Sequence, residues 1–241
     1  MARTRLGMLT PSSNTVLEPL CAEMLQGVPD VSAHFARFRV TEIALDRAAL
    51  DQFALAPMLE AAALLADAHV DAICWNGTSA GWLGFERDRA LSAAIAERFG
   101  VPAASAVLAL AEIFRLGRVR RFGLVSPYLP EIQDHIIANF RSEGFACVAE
   151  RHLAIRDNFA FADVPPDTLA GMIRECAGER PDAITILCTN LRGAPLVEGL
   201  ERELGLPIFD STAAALWASL RAAKIDPAQV RGWGRLFRAV A

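Results

Sequence analysis

The chain has no C-x-x-C pair and no histidines at metal-ligand spacing. Its five cysteines (Cys21, Cys74, Cys147, Cys176, Cys188) are odd in number and scattered, which argues against a disulfide framework. His34, His69, His135 and His152 stand apart from one another, so no metal site is expected. Excess positive charge is missing too: a net charge of −4 removes the electrostatic case for nucleic acid. Lys224 is the only lysine, and no function follows from that. Hydrophobic residues make up 53% of the chain but occur in short stretches, none near the roughly 18 uninterrupted apolar residues of a membrane helix. The N-terminus runs into a strand-like segment without a signal-peptide pattern. A cytoplasmic protein with no membrane partner is expected.

What the chain does have is an internal duplication. Arg5-Leu6-Gly7-Met8-Leu9-Thr10-Pro11 recurs as Arg121-Phe122-Gly123-Leu124-Val125-Ser126-Pro127. Asp71-Ala72-Ile73, then Gly77-Thr78-Ser79, recurs as Asp182-Ala183-Ile184, then Cys188-Thr189-Asn190. Gly100-Val101-Pro102 with Ser105 recurs as Gly205-Leu206-Pro207 with Ser211. Three markers in order at nearly constant separation imply two similar halves, 1–116 and 117–241, with part of the C-terminal helix free to pack back on the first. In this frame Cys188 faces the position of Gly77, so one half carries a thiol and the other does not.

Apolar periodicity predicts strands at Leu6–Leu9, His34–Val40, Val70–Asn76 and Pro102–Ala104, separated by helices including Asp51–His69 and Asp88–Arg98. The second half repeats the scheme with strands at Phe122–Val125, Cys147–Arg151, Ala183–Leu187 and Pro207–Phe209. Alternating strands and helices predict an α/β fold of two parallel sheets related by a pseudo-twofold. Ligands of such sheets bind at the carboxyl ends of the strands, and every repeated motif ends there.

Cys188 follows a buried strand and precedes polar residues, so its thiol is a candidate proton donor or nucleophile, with a lowered pKa expected from nearby amides. Gly77 permits close approach of a ligand, while Thr78 and Ser79 can hold a carboxylate or cap a helix. Asn14, in the polar run after the first strand, belongs to the same layer. Tyr128 is the only tyrosine and sits just past the equivalent turn of the second half, where its phenol can donate to a carboxylate. Trp75 and Trp82 flank Gly77 and suit an apolar wall or ordinary packing. Arg37 and Arg39 are read as solvated edge-strand charges rather than substrate ligands.

Together, Thr10-Pro11-Ser12-Ser13-Asn14-Thr15, Gly77-Thr78-Ser79, Ser126-Pro127-Tyr128 and Cys188-Thr189-Asn190 resemble the aspartate/glutamate racemase superfamily. The branch of maleate cis–trans isomerase and arylmalonate decarboxylase is the most similar. The resemblance implies two α/β halves around a site for a small mono- or dicarboxylate, with no cofactor. The usual pattern is one cysteine per half; a glycine at the first position resembles the decarboxylase. It therefore implies a hole for the retained carboxylate made by Thr78, Ser79, Tyr128 and the amides of Cys188 and Thr189, with Cys188 protonating an enediolate. Asn14 follows the isomerase version of its loop, and Thr189 and Asn190 are bulkier than the decarboxylase pattern. Decarboxylation of a substituted malonate is the first expectation and a maleate isomerase-like or racemase-like reaction the second. A carboxylate-binding protein without turnover is the third. Substrate identity and oligomeric state, including a homo-oligomer, stay open.

Overall fold

In the computed structural model, which describes residues 3–240, the first half runs β1 (Thr4–Pro11), α1 (Leu17–Leu25), β2 (Val31–Phe38), α2 (Arg47–Asp51), α3 (Leu55–Asp67), β3 (Ala72–Trp75), α4 (Ala80–Leu83), α5 (Phe85–Phe99), β4 (Ala103–Ser105) and α6 (Ala106–Leu116). The second half runs β5 (Arg121–Ser126), α7 (Pro130–Ser142), β6 (Ala146–His152), α8 (Pro166–Ala177), β7 (Ala183–Ile186), α9 (Ala194–Leu204), β8 (Ile208–Asp210), α10 (Ser211–Ala222) and the short α11 (Leu236–Ala239). Each half builds one four-stranded parallel sheet, ordered β2-β1-β3-β4 and β6-β5-β7-β8. The orders are identical, so the duplication read from sequence is a duplication of topology. The expected α/β class is what the chain adopts.

The repeated markers have structural causes. Asp71 accepts a hydrogen bond from the Arg5 amide at 2.7 Å, and Asp182 accepts from the Arg120 and Arg121 amides at 2.8 Å. Each aspartate thus ties the entry of a third strand to the start of the first. Gly100 and Gly205 end α5 and α9 in the left-handed region (φ +69° and +74°), which side chains disfavour.

Arg47–Asp67 reaches a mean hydropathy of 1.3 and is long and apolar enough to span a membrane by composition. It nonetheless breaks between α2 and α3, and Met58, Ala61, Ala62 and Leu65 pack into the core.

The two halves exchange their last helices. Phe114 of α6 lies 5.4 Å from Phe122 and 6.1 Å from Phe209, rings of the second half. In return α10 packs on α6, β3 and β4, and the Ala215 carbonyl lies 3.7 Å from the Cys74 sulfur. One continuous apolar core results, and its rigidity fixes the strand ends of both sheets around a shared cleft.

Candidate active site

Four strand ends meet at the cleft. The turns after β1, β3, β5 and β7 bring Pro11 and Asn14, Gly77 to Ser79, Tyr128, and Cys188 with Thr189 to one small cavity. Val40, Ile43, Phe53, Trp75, Trp82 and Asn158 complete its wall. The free space between these walls is about 20 Å³, enough for one water molecule. A much larger groove of about 960 Å³, between Met24 and Trp233, opens at the C-terminal end of α1, away from these strand ends.

Of the five free thiols, Cys188 is the one that lines the cavity. Cys21, Cys74 and Cys176 are buried in the core and Cys147 is half-buried in β6. Cys188 is 2% exposed, and burial pushes its thiol up to about 12. Hydrogen bonding from the Tyr128 hydroxyl and the Asn190 and Leu191 amides holds it back in part, while the Asp210 charge raises it further. The expected lowering is therefore overturned. No long helix starts at Cys188 to supply a field, since α9 begins at Ala194, and desolvation dominates. At neutral pH the group is a thiol with a proton to give.

The Tyr128 hydroxyl and Thr78 Oγ1 lie 2.6 Å apart, joining the halves across the cleft. Burial raises the phenol well above its usual value, so it stays protonated. With the Tyr128 hydroxyl also hydrogen-bonded to the Cys188 sulfur, Thr78, Tyr128 and Cys188 form one hydrogen-bonded chain across the cleft, which a ligand oxygen would have to enter. Ser79, at the start of α4, makes no capping bond, so its hydroxyl is not needed by the helix. The Cys188 amide donates to Ser211 Oγ at 3.1 Å and is not available to a carboxylate, which removes it from the expected oxyanion hole.

Asn14 lines the cavity but also holds the fold: its Oδ1 accepts from the Val16 and Leu17 amides, and its Nδ2 donates to Thr189 Oγ1 at 3.2 Å. Thr189 in turn donates to the Asn76 carbonyl at 2.8 Å. Asn190 is not part of the wall. Its side chain accepts from the Thr15 amide at 2.9 Å and donates to the Asn158 carbonyl at 2.6 Å, a strut between the halves. Arg37 is likewise turned to structure, binding Glu18 and the Ser12 and Asn14 carbonyls.

Gly77 has a steric reason. A Cβ built there would overlap the Trp75 indole, with Cε2 only 2.6 Å away. Trp75 is held in that place by packing on Phe38, ring centroids 5.1 Å apart. The ring occupies the space a side chain at position 77 would need.

Val40, Ile43, Phe53 and Asn158 lie in loops whose positions the sequence pattern does not specify. The duplication did contain a signal for some of them: Val40 and Ile43 follow β2, and Asn158 follows β6. These two segments meet over the site. The Ile43 amide donates to the Arg156 carbonyl at 3.0 Å and the Asn158 amide to the Thr41 carbonyl at 3.0 Å. Arg156 binds both Glu42 and Asp46, closing the seam. A dicarboxylate needs more than the free space between these walls, and loosening this seam would widen it. Arg156→Ala is expected to speed amide hydrogen exchange at Ile43 and Asn158 a few-fold, the modest effect of losing an exposed ion pair, while core amides stay protected.

Comparison with known proteins agrees with this architecture. A family-wide sequence pattern described as arylmalonate decarboxylase matches residues 7–237. A maleate isomerase of Pseudomonas putida is 29% identical over 236 residues, covering 92% of this chain and 93% of the relative. Arylmalonate decarboxylase of Bordetella bronchiseptica is 29% identical over 164 residues, covering 67% and 68%. Among solved structures, Nocardia farcinica maleate cis–trans isomerase, as a cysteine-to-serine mutant with a covalently bound succinylcysteine intermediate, superposes with a TM-score of 0.89. It is 26% identical over 100% of both chains. The match of the family pattern to nearly the whole sequence, on this fold, places the chain in the arylmalonate decarboxylase family.

Proposed function

We propose that the protein is a cofactor-independent decarboxylase of a substituted malonate or related small dicarboxylate, with Cys188 as the proton donor. One observation carries this reading: the Trp75 ring fills the space of any side chain at position 77, leaving Cys188 the sole thiol of the wall. A two-thiol mechanism, with one sulfur on each face, would require the Trp75 ring to move.

The retained carboxylate would sit against the Thr78, Ser79 and Tyr128 hydroxyls. The leaving carboxylate would face Pro11, Val40, Ile43 and Phe53, where loss of water destabilises the charged group relative to CO2. As the bond between the α-carbon and this carboxylate breaks, its electron pair moves to the α-carbon and into the retained carboxylate as an enediolate. Cys188 then passes its proton to that carbon, and the thiolate regains one from solvent. A thiol pushed up to about 12 suits this role, because it remains protonated between turnovers.

The experiment is CO2 release from a panel of 2-substituted malonates. Release from none of them would sink the proposal. The alkaline limb of the pH profile supplies an independent check. Cys188 is a thiol below its raised pKa and loses that form only as pH approaches about 12, so kcat is expected to hold between about pH 8 and about pH 10. A rate that instead climbs with pH would point to a thiolate nucleophile.

Isomerisation is the second reading, favoured by relatives named maleate isomerase at 28–29% identity and by Asn14 in the wall. Conversion of maleate to fumarate without CO2 would select it.

A further inference from the structure

Two indole N–H groups beside the site have no hydrogen-bond partner among the described residues. Trp75 Nε1 and Trp82 Nε1 are both buried without a hydrogen bond, and both side chains line the cavity. A buried tryptophan N–H normally finds an acceptor, and leaving one unpaired costs roughly 1–3 kcal/mol. Neither ring is loose: Trp75 packs on Phe38, and Trp82 lies edge-on to Phe53 at 5.8 Å and to Tyr128 at 5.0 Å. Phenylalanine would supply the same apolar surface without stranding a donor. The wall also holds the Thr78 and Ser79 hydroxyls and the Asn158 side chain, yet none of these is hydrogen-bonded to either indole.

The position of the Trp75 edge narrows what the donors would meet. Its Cζ2, Cη2 and Cε2 atoms all approach the Gly77 Cβ position, and Cε2 is bonded to Nε1, which places the nitrogen one bond from that contact. The N–H edge therefore sits on the Gly77 side of the cleft, in the half opposite the one that supplies Cys188. Two donors on the departing carboxylate would stabilise its charge and oppose CO2 loss. The retained carboxylate is assigned to the Thr78, Ser79 and Tyr128 hydroxyls, so the acceptor for the indoles is sought on the remaining part of the substrate, its α-substituent.

We propose that Trp75 and Trp82 are specificity-determining residues whose indole N–H groups hold a neutral oxygen acceptor on the α-substituent of a small dicarboxylate. This rests on the decarboxylase reading above and extends it: the preferred substituent bears a hydroxyl or ether oxygen rather than being a pure hydrocarbon. An acceptor there satisfies donors that the folded chain leaves unpaired. An isosteric methyl or methylene leaves them stranded, which is the stronger source of discrimination.

Isosteric probe pairs test this without turnover. Calorimetry on the full-length Cys188→Ala protein would compare hydroxymalonate with methylmalonate, and methoxymalonate with ethylmalonate. In at least one pair the oxygen-bearing member is expected to bind roughly 10-fold tighter. Trp75→Phe and Trp82→Phe should each shrink that ratio, and the double variant should bring it near one. Equal affinity within both pairs, or a ratio untouched by the Phe variants, overturns the proposal. Should a Phe variant fail to fold, the unsubstituted indoles still report. In ¹⁵N-labelled protein, two of the tryptophan side-chain N–H resonances should move downfield with the oxygen-bearing ligand and not with its isostere. Unmoved resonances on saturation by that ligand would also overturn it. Absence of CO2 release by the intact enzyme defeats the decarboxylase reading alone, because these affinities are measured without chemistry.

Discussion

On the decarboxylase reading, Cys188→Ala is expected to lower turnover of a 2-substituted malonate roughly 10³-fold, within the range that loss of a positioned proton donor produces. The fold should survive, because deleting one buried sulfur from a wall that already encloses a small cavity costs about 1 kcal/mol. Thermal unfolding close to that of the parent, together with a collapsed kcat, is the signature. Deuterium from solvent should enter the α-position of the product in the parent enzyme, since the thiol exchanges before each turnover. Retention of more than about a tenth of the parent kcat in the alanine variant would show that another group or solvent delivers the proton.

The second large effect concerns the opposite face. Gly77→Ala and Gly77→Cys are both expected to destabilise the fold by about 2 kcal/mol, a Tm decrease of roughly 6 °C, because the added Cβ must displace a packed indole. The alanine variant separates the steric effect from thiol chemistry. Trp75→Leu alone leaves a cavity beside Phe38, yet combined with Gly77→Cys its cost should be far from additive, since the new side chain enters vacated space. That double variant also places a thiol on the face across from Cys188. A decarboxylation product formed with high enantiomeric excess by the parent should then lose it, with protons arriving from both sides. Unaltered stability in Gly77→Ala would mean that Trp75 has another resting place, and the one-thiol argument would fall with it.

The two halves of the site differ in how far the sequence could anticipate them. Strand ends are local: an apolar run broken by Pro, Gly or polar residues announces where a parallel strand stops, and Asn14, Gly77, Thr78, Ser79, Tyr128, Cys188 and Thr189, which line the cavity, all stand at such ends. Asn190 stands in the same motif, but its side chain reaches Thr15 and Asn158, partners 175 and 32 residues distant. The Cys188 amide looked free because its acceptor, Ser211, lies beyond the next helix and strand. The thiol pKa was misjudged for a related reason. Proximity to amides can be read from a strand-to-turn motif, whereas desolvation depends on everything that packs around the sulfur.

By itself, then, the sequence determined the duplicated α/β architecture, the strand-end layer and the asymmetry of one thiol facing a glycine, because each is written in short segments that obey local rules. Tertiary structure alone decided the exchange of α6 and α10 between halves, the cover closed by Arg156, and what stands where the missing thiol would be. The last is the sharpest case. Trp75 is two residues from Gly77 in sequence, but it is tertiary packing, on Phe38 among others, that turns its ring over the glycine and leaves Cys188 as the single thiol of the wall.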